Sequence, residues 1–218
     1  MTLTKVLITG KDSKSRCFWC GDDEQYVAYH DLQWARPVVD DTALYEKICL
    51  EGFQAGLSWL TILRKRESFR DAFRGFEPRV VAKFNQRDVA RLMKNESIVR
   101  HRGKIEAAIN NAQATLEVQK EFGSFAIFIW SFRPGPKVGA KNKTPKRISD
   151  IKTSTDESLA LSKALRQRGF KFVGPTTMYA AMQSLGLVND HFEGCYVRDF
   201  CSQEQAVASK KFATKIIA

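Results

Sequence analysis

Cysteine and histidine recur near the two ends of the chain in a spacing that fits one metal ion. Cys17 is followed after twelve residues by His30, and His191 after three by Cys195. Together they make a Cys₂His₂ set, and a structural zinc site takes four N/S ligands with no open position. Most of the chain lies between the two halves. A metal held this way ties the N-terminal segment to the C-terminal one, which restricts the fold to those that bring both ends together. It closes the fold without touching the middle, where the chemistry is then to be sought. Of the 3 histidines two are spent here, so little histidine is left for catalysis. Taken singly, a His or Cys is more often packed than ligating, and CFWC at 17–20 leaves open whether Cys17 or Cys20 is the ligand. Cys49 sits in an apolar helical pattern and reads as a small core residue, and Cys201 as a free thiol near the tail.

With 218 residues, 44% of them hydrophobic, the chain can fill a sizeable core. No stretch approaches the apolar length of a membrane span, and residues 1–16 lack the apolar run and cleavage site of a secretory signal. The 5 cysteines form no paired framework, which suits a reducing cytoplasm. Against 24 acidic residues stand 35 Lys and Arg, and a net charge of +11 points to a polyanionic partner. A merely soluble basic protein would show the same balance.

The periodicity is helical almost throughout, so the expected fold is all-α. From Asp41 as N-cap, residues 42–55 place Leu44, Ile48, Glu51 and Ala55 on one stripe, which puts a carboxylate on an apolar face. Residues 58–73 continue as helix, Pro78 opens another, and 88–93 and 103–122 extend the series. The apolar run 125–132 reads as buried helix. Residues 133–153, with 3 prolines, 2 glycines and 7 Lys/Arg, form a basic surface loop. Ser154 and Glu157 read as a capping box for a helix ending at Arg168 and stopped by Gly169. The tail after Cys201 is a last helix or frays. The organisation expected is a tail at 1–14, one domain at 15–200 and an extension at 201–218. There is no internal repeat.

Two motifs carry chemistry. GFKFVGPTT at 169–177 lies between two helices, with Pro175 suited to a first helical turn and exposed N–H groups able to hold a phosphate oxygen. This is a helix-hairpin-helix pattern, a grip on a DNA backbone without regard to sequence. An ordinary helical corner has the same glycines, and the neighbouring Lys163, Arg166, Arg168 and Lys171 favour phosphate. The second motif, LEGFQAGLSW at 50–59, holds Glu51. A buried carboxylate needs a partner or a purpose. A salt bridge to an arginine is one reading, and a pocket for something cationic is the other. Trp59, Trp19 and Tyr29 can supply flat walls for a stacked base.

These blocks together resemble the bacterial 3-methyladenine DNA glycosylase I family. The likeness is carried by CFWCGDDEQYVAYHD at 17–31, ICLEGFQAGLSW at 48–59, HRGK at 101–104, SKALRQRGFKFVG at 162–174 and GLVNDHFEGC at 186–195, and it spans roughly residues 15–196. The resemblance implies the helix-hairpin-helix glycosylase fold and a structural zinc held by Cys17, His30, His191 and Cys195, with Cys20 the bystander. It implies that Glu51 and Tyr29 hydrogen-bond the excised base and that Trp59 and Trp19 stack on it. Gln54 and Leu57 fall where side chains enter the gap left by the extruded nucleotide, and Lys171, Gly174 and Thr176 belong to the hairpin's contact with DNA. The family lacks the aspartate usual in its superfamily, so Asp190 is given no catalytic role.

The activity so implied is base excision from alkylated double-stranded DNA by a monomer, without strand cleavage. A purine methylated on a ring nitrogen is cationic and already a good leaving group, so little acid catalysis is needed. Flipping the nucleotide costs least for a damaged base. No lysine stands in a recognisable nucleophile position, which argues for hydrolysis rather than Schiff-base chemistry. The competing readings are a DNA-binding protein with zinc and no activity, and a glycosylase for another cationic lesion such as 3-methylguanine.

Overall fold

The computed structural model describes residues 5–135 and 144–216. A two-stranded antiparallel ribbon, β1 (Leu7–Thr9) and β2 (Ser15–Cys17), precedes a run of helices. These are α1 (Glu24–Leu32), α2 (Asp41–Gln54), α3 (Trp59–Arg64), α4 (Arg66–Ala72), α5 (Pro78–Val81), α6 (Gln86–Lys94), α7 (Arg102–Phe122), α8 (Phe125–Trp130), α9 (Asp156–Gln167), α10 (Pro175–Ser184) and α11 (Arg198–Ile216). The protein is therefore mostly helical, as its periodicity predicts. The ribbon departs from the all-α expectation, because three-residue strands are too short to show an alternating pattern. Of the expected tail, residues 1–4 lie outside the described residues, as do 136–143 of the basic loop. Among the described residues no helix is long and apolar enough to cross a membrane.

Helix α2 is central, packing against α3, α7, α8 and α10. It buries Leu44, Tyr45, Ile48, Leu50 and Phe53, and each such side chain contributes roughly 1.5–3 kcal/mol. Ala55, expected on the same stripe, is instead the exposed residue that ends the helix. The cap of α2 is Asp40, whose side chain accepts from Ala43 N at 2.8 Å. Asp41 is the first helical residue, and its carboxylate accepts from Phe125 N at 2.9 Å and Ala126 N at 2.8 Å. It thus satisfies two N–H groups that the start of α8 would otherwise leave without partners.

Other boundaries move for local reasons. Helix α9 is capped by Thr155 with Ser158, one residue later than the Ser154 and Glu157 box, because both reciprocal bonds close there. The helix expected over 58–73 is split at Lys65, whose N–H bonds to Ile62 O at 3.1 Å and tightens the turn. The Lys65 ammonium reaches the carbonyls of Glu96 and Ser97.

A second, smaller core joins the ends of the chain and contains Cys17, Ala35, Phe192, Cys195, Val197 and Cys201. Backbone bonds from Phe18 N to Val6 O and from Tyr196 N to Ser15 O tie β2 to both flanks. Residues 202–216 continue α11 rather than fray, and Phe212 stacks on Trp130 at 5.2 Å. The exit of α10 needs glycine. Gly186 has φ +75°, and a Cβ there would lie 2.5 Å from the Arg36 carbonyl carbon.

Candidate functional site

Glu51 lies in the last turn of α2 and is 5% exposed. Ser184, the last residue of α10, donates its hydroxyl to Glu51 Oε1 at 3.0 Å. Among the described residues no ion pair closes over it. Burial raises its pKa above the ordinary carboxylate value, while the charge of Lys47 and the Ser184 hydrogen bond pull it back. The salt bridge that the sequence also allowed is therefore not what satisfies this acid.

Glu51 is on the wall of a cavity of about 290 Å³. Ligand pockets run upward from roughly 300 Å³, so the space suits a small, flat molecule. Trp19, Tyr26, Tyr29, Trp34 and Trp59 line it, together with Gln54 and Ser184. The Tyr29 and Trp59 rings are 5.4 Å apart, and Trp19 meets Trp34 at 4.9 Å. The Trp59 indole N–H is buried without a partner among the described residues. A buried donor left unmade is costly, and a ligand in the cavity can satisfy it. The structure thus brings Glu51, Tyr29, Trp59, Trp19 and Gln54 to one place.

Leu57 stands apart from the cavity wall, 42% exposed at the turn between α2 and α3, where Gly56 has φ +83°. The HRGK block explains how that turn is held. His101 caps α7 by accepting from Lys104 N at 3.2 Å, and Lys104 donates to Phe53 O at 2.9 Å and Ala55 O at 2.5 Å. A lysine on the last carbonyls of a helix is favourable in both hydrogen bonding and dipole.

The turn between α9 and α10 is held from below. Asn110 donates to Gly169 O, Ser162 to Val173 O, and Asn111 exchanges two bonds with the Lys171 backbone at 2.8 and 3.0 Å. Lys171 and Thr176 are exposed and Gly174 precedes Pro175 at the start of α10. The arginines differ from expectation. Arg168 is committed to Glu121 at 2.7 Å and Arg166 to the Ser162 hydroxyl, so both serve the fold.

Cys17, His30, His191 and Cys195 are all buried, and their ligand atoms lie within 4.8 Å of one another. Such a cluster can hold a metal ion. Cys20 turns away and donates to Cys17 O at 3.2 Å. His30 presents Nε2 to the cluster while Nδ1 faces Asp31 at 2.8 Å, and His191 presents Nδ1 while Nε2 faces Trp34 O at 3.4 Å. Outer partners of this kind fix ring orientation and tautomer. The cluster is not remote from the cavity: the Trp19 and His30 rings are 5.1 Å apart, and Trp34 and His191 are 4.6 Å apart.

Several lining residues had no signal in the sequence. Ser184 reads as an ordinary helix end. Ile148 and Ile151 come from the expected surface loop and line the cavity. Asp190 lines it too, accepting from Tyr179 Oη at 2.6 Å and Gln183 Nε2 at 2.8 Å.

A buried acid on the wall of an aromatic cavity, set in a mostly helical frame, has the shape and chemistry to take a flat ring. The family model described as methyladenine glycosylase matches residues 19–199, and the chain belongs to that family. It is 50% identical to DNA-3-methyladenine glycosylase 1 of Escherichia coli (strain K12) over 83% of this chain and 95% of that one. It is 48% identical to DNA-3-methyladenine glycosylase of Haemophilus influenzae over 83% of this chain and 96% of that one. Among solved structures it resembles 3-methyladenine DNA glycosylase I, with a TM-score of 0.77, 49% identity, and coverage of 83% and 98% of the two chains. A tyrosine-to-phenylalanine variant of such an enzyme, solved in complex with 3-methyladenine, also gives a TM-score of 0.77, at 40% identity and coverage of 84% and 97%.

Proposed function

We propose that this chain is a base-excision repair enzyme that hydrolyses the N-glycosidic bond of alkylated DNA, releases 3-methyladenine and leaves an abasic site. The observation that carries this reading is Glu51, a buried carboxyl group on an aromatic cavity wall with a hydrogen bond but, among the described residues, no ion pair. Burying an unpaired carboxylate costs several kcal/mol, a cost that a cationic occupant offsets. At 4 Å and an effective dielectric near 20, that attraction is roughly 4 kcal/mol, and neutral adenine gains none of it. The same cation lowers the pKa of Glu51, so the base draws the acid into its ionised form.

In this mechanism the fold acts mainly by selection and orientation. Tyr29 hydrogen-bonds the base edge, Trp59 and Trp19 stack against its faces, and the unpartnered Trp59 N–H is a further donor within the cavity wall. The methylated base leaves as a neutral molecule, and water adds to the sugar C1′ as positive charge develops there. Ile148 and Ile151 help keep the space dry, which strengthens every charge interaction inside.

Gln54 and Leu57 fill the gap left in the duplex. Exposure of a leucine at a turn locked by Lys104 supports this role. The α9–α10 turn is read as a helix-hairpin-helix that holds DNA phosphates through Lys171, Thr176 and the N–H groups of α10. At Gly174 an added Cβ would meet nothing nearer than Thr177 Oγ1 at 4.0 Å, so the fold itself does not demand glycine there. An approaching phosphate would.

The Cys₂His₂ cluster is read as a structural zinc site that joins the two ends of the chain. Its nearest ligand separations, 3.4, 3.4 and 3.5 Å between sulfur and nitrogen, match the edges of a zinc tetrahedron, roughly 3.5 Å for ordinary Zn–S and Zn–N bonds. Four protein ligands leave no position for substrate. The test of the whole reading is an assay of bases released from methylated duplex DNA. Free 3-methyladenine with intact, abasic strands is the expected result, and DNA binding without base release would reject it.

A further inference from the structure

Lys47 stands one helical turn before Glu51 on α2, at the i, i+4 spacing that puts the two on one face. Its Nζ donates to Tyr29 Oη at 2.8 Å. The same nitrogen lies 4.6 Å from the centroid of the Tyr29 ring and 4.8 Å from that of Trp59. A single half-buried lysine therefore touches both aromatic residues of the base pocket without itself lining the cavity.

We infer that Lys47 is a positioning residue for base excision: by donating to the Tyr29 oxygen it fixes that hydroxyl as a donor toward the bound base. The inference rests on the assignment of Tyr29 and Glu51 to the base. An ammonium has three donors and no acceptor, whereas a phenol has one O–H and lone pairs. Tyr29 must then accept from Lys47, and its own proton turns to the other side. That side is the cavity, which Tyr29, Glu51 and Ser184 all line. A purine ring nitrogen placed there meets a proton rather than a lone pair. Remove the ammonium, and the hydroxyl is free to turn either way.

The charged and titratable neighbours of Lys47 are Glu46 and Glu51 on its own helix, Arg66 and Arg70 from α4, and Tyr29 from α1. Burial is the strongest influence and pushes the lysine's pKa down to about 8, with Glu51 opposing it. An ordinary phenol, with a pKa of about 10, keeps its proton in this range. A neutral amine can accept that proton. Above the lysine's pKa the pair no longer has one fixed polarity, and excision is expected to fall.

The experiment is single-turnover release of 3-methyladenine from methylated duplex DNA by wild-type protein and by Lys47→Met, Lys47→Arg, Tyr29→Phe and Lys47→Met/Tyr29→Phe, from acid to alkaline pH. Circular dichroism melts confirm that each variant is folded. Lys47→Met is expected to lose about tenfold at neutral pH, the equivalent of one hydrogen bond. Lys47→Arg, which only donates and does not deprotonate, should retain most of the rate and lose the alkaline decline. In the Tyr29→Phe background Lys47→Met should add little. Wild-type rate in Lys47→Met, or a double variant slower than Tyr29→Phe by the full factor of Lys47→Met alone, overturns the inference. Tyr29→Phe and Glu51→Gln both at wild-type rate would instead reject the base-pocket reading beneath it.

Discussion

The Ser184 hydroxyl donates to Glu51 Oε1 across 3.0 Å, joining the end of α10 to the last turn of α2 inside the cavity wall. A hydrogen bond to an ionised group is worth roughly 1.5–3 kcal/mol. Replacing Ser184 with alanine should raise the Glu51 pKa by about one to two units. The acid limb of kcat/KM then moves to higher pH by that amount. A limb that stays in place would show that the serine does not support the charge.

In the wild-type protein the same acid sets the low-pH side. Glu51 must be ionised to attract a cation, and burial raises its pKa to about 7 in the free protein. Activity measured as kcat/KM should therefore fall as pH drops through neutrality, well above the ordinary carboxylate value. A bound cationic base lowers the pKa, so the limb in kcat lies at lower pH than the limb in kcat/KM. Coincident limbs would argue that no cation reaches Glu51.

Metal loss should act on stability first and on the pocket second. Stripping the ion under denaturing conditions and refolding without it should lower Tm by about 10 °C or more, if the site is worth several kcal/mol. Because Trp19 and Trp34 pack on the ligand rings His30 and His191, affinity for free 3-methyladenine should drop as well. Metal analysis that finds none per chain in protein purified without chelator would exclude the site.

Lys104→Met removes the donor from the carbonyls of Phe53 and Ala55 while keeping the stem. A loss of about 1–3 kcal/mol in stability follows from the buried Phe53 carbonyl left without this donor, with a smaller share from the part-buried bond to Ala55. Excision should suffer too, since the turn carrying Gln54 and Leu57 is released. Unchanged denaturant midpoint would contradict this account of the HRGK block.

On the DNA side, Lys171→Ala should weaken binding to all sequences alike and reduce the salt slope by about one. A change confined to particular sequences would point to base reading instead.

How much of this was legible beforehand depends on whether the signal was local. The stripe of Leu44, Ile48 and Glu51 marks a helix with a buried acid, because three and four residues bring side chains onto one face. Four side chains able to ligate a metal could be matched by type, although spacing alone leaves Cys17 and Cys20 open; the family resemblance favours Cys17, and in the folded chain the Cys20 sulfur turns to a backbone carbonyl. The caps lie one residue from the expected Asp41 and Ser154, at Asp40 and Thr155, because two adjacent polar residues compete and tertiary contacts choose. Ser184, Lys47, Ile148 and Ile151 carry no pattern of their own. They reach the cavity, or the residues that line it, through packing between segments far apart in the chain.

The most direct test is single-turnover release of 3-methyladenine from methylated duplex DNA by Glu51→Gln beside the wild-type protein. Glutamine keeps the shape of the side chain and removes its charge. A loss approaching about a thousandfold is expected, since roughly 4 kcal/mol of attraction is removed, with affinity for abasic DNA nearly intact. Release at the wild-type rate would contradict it.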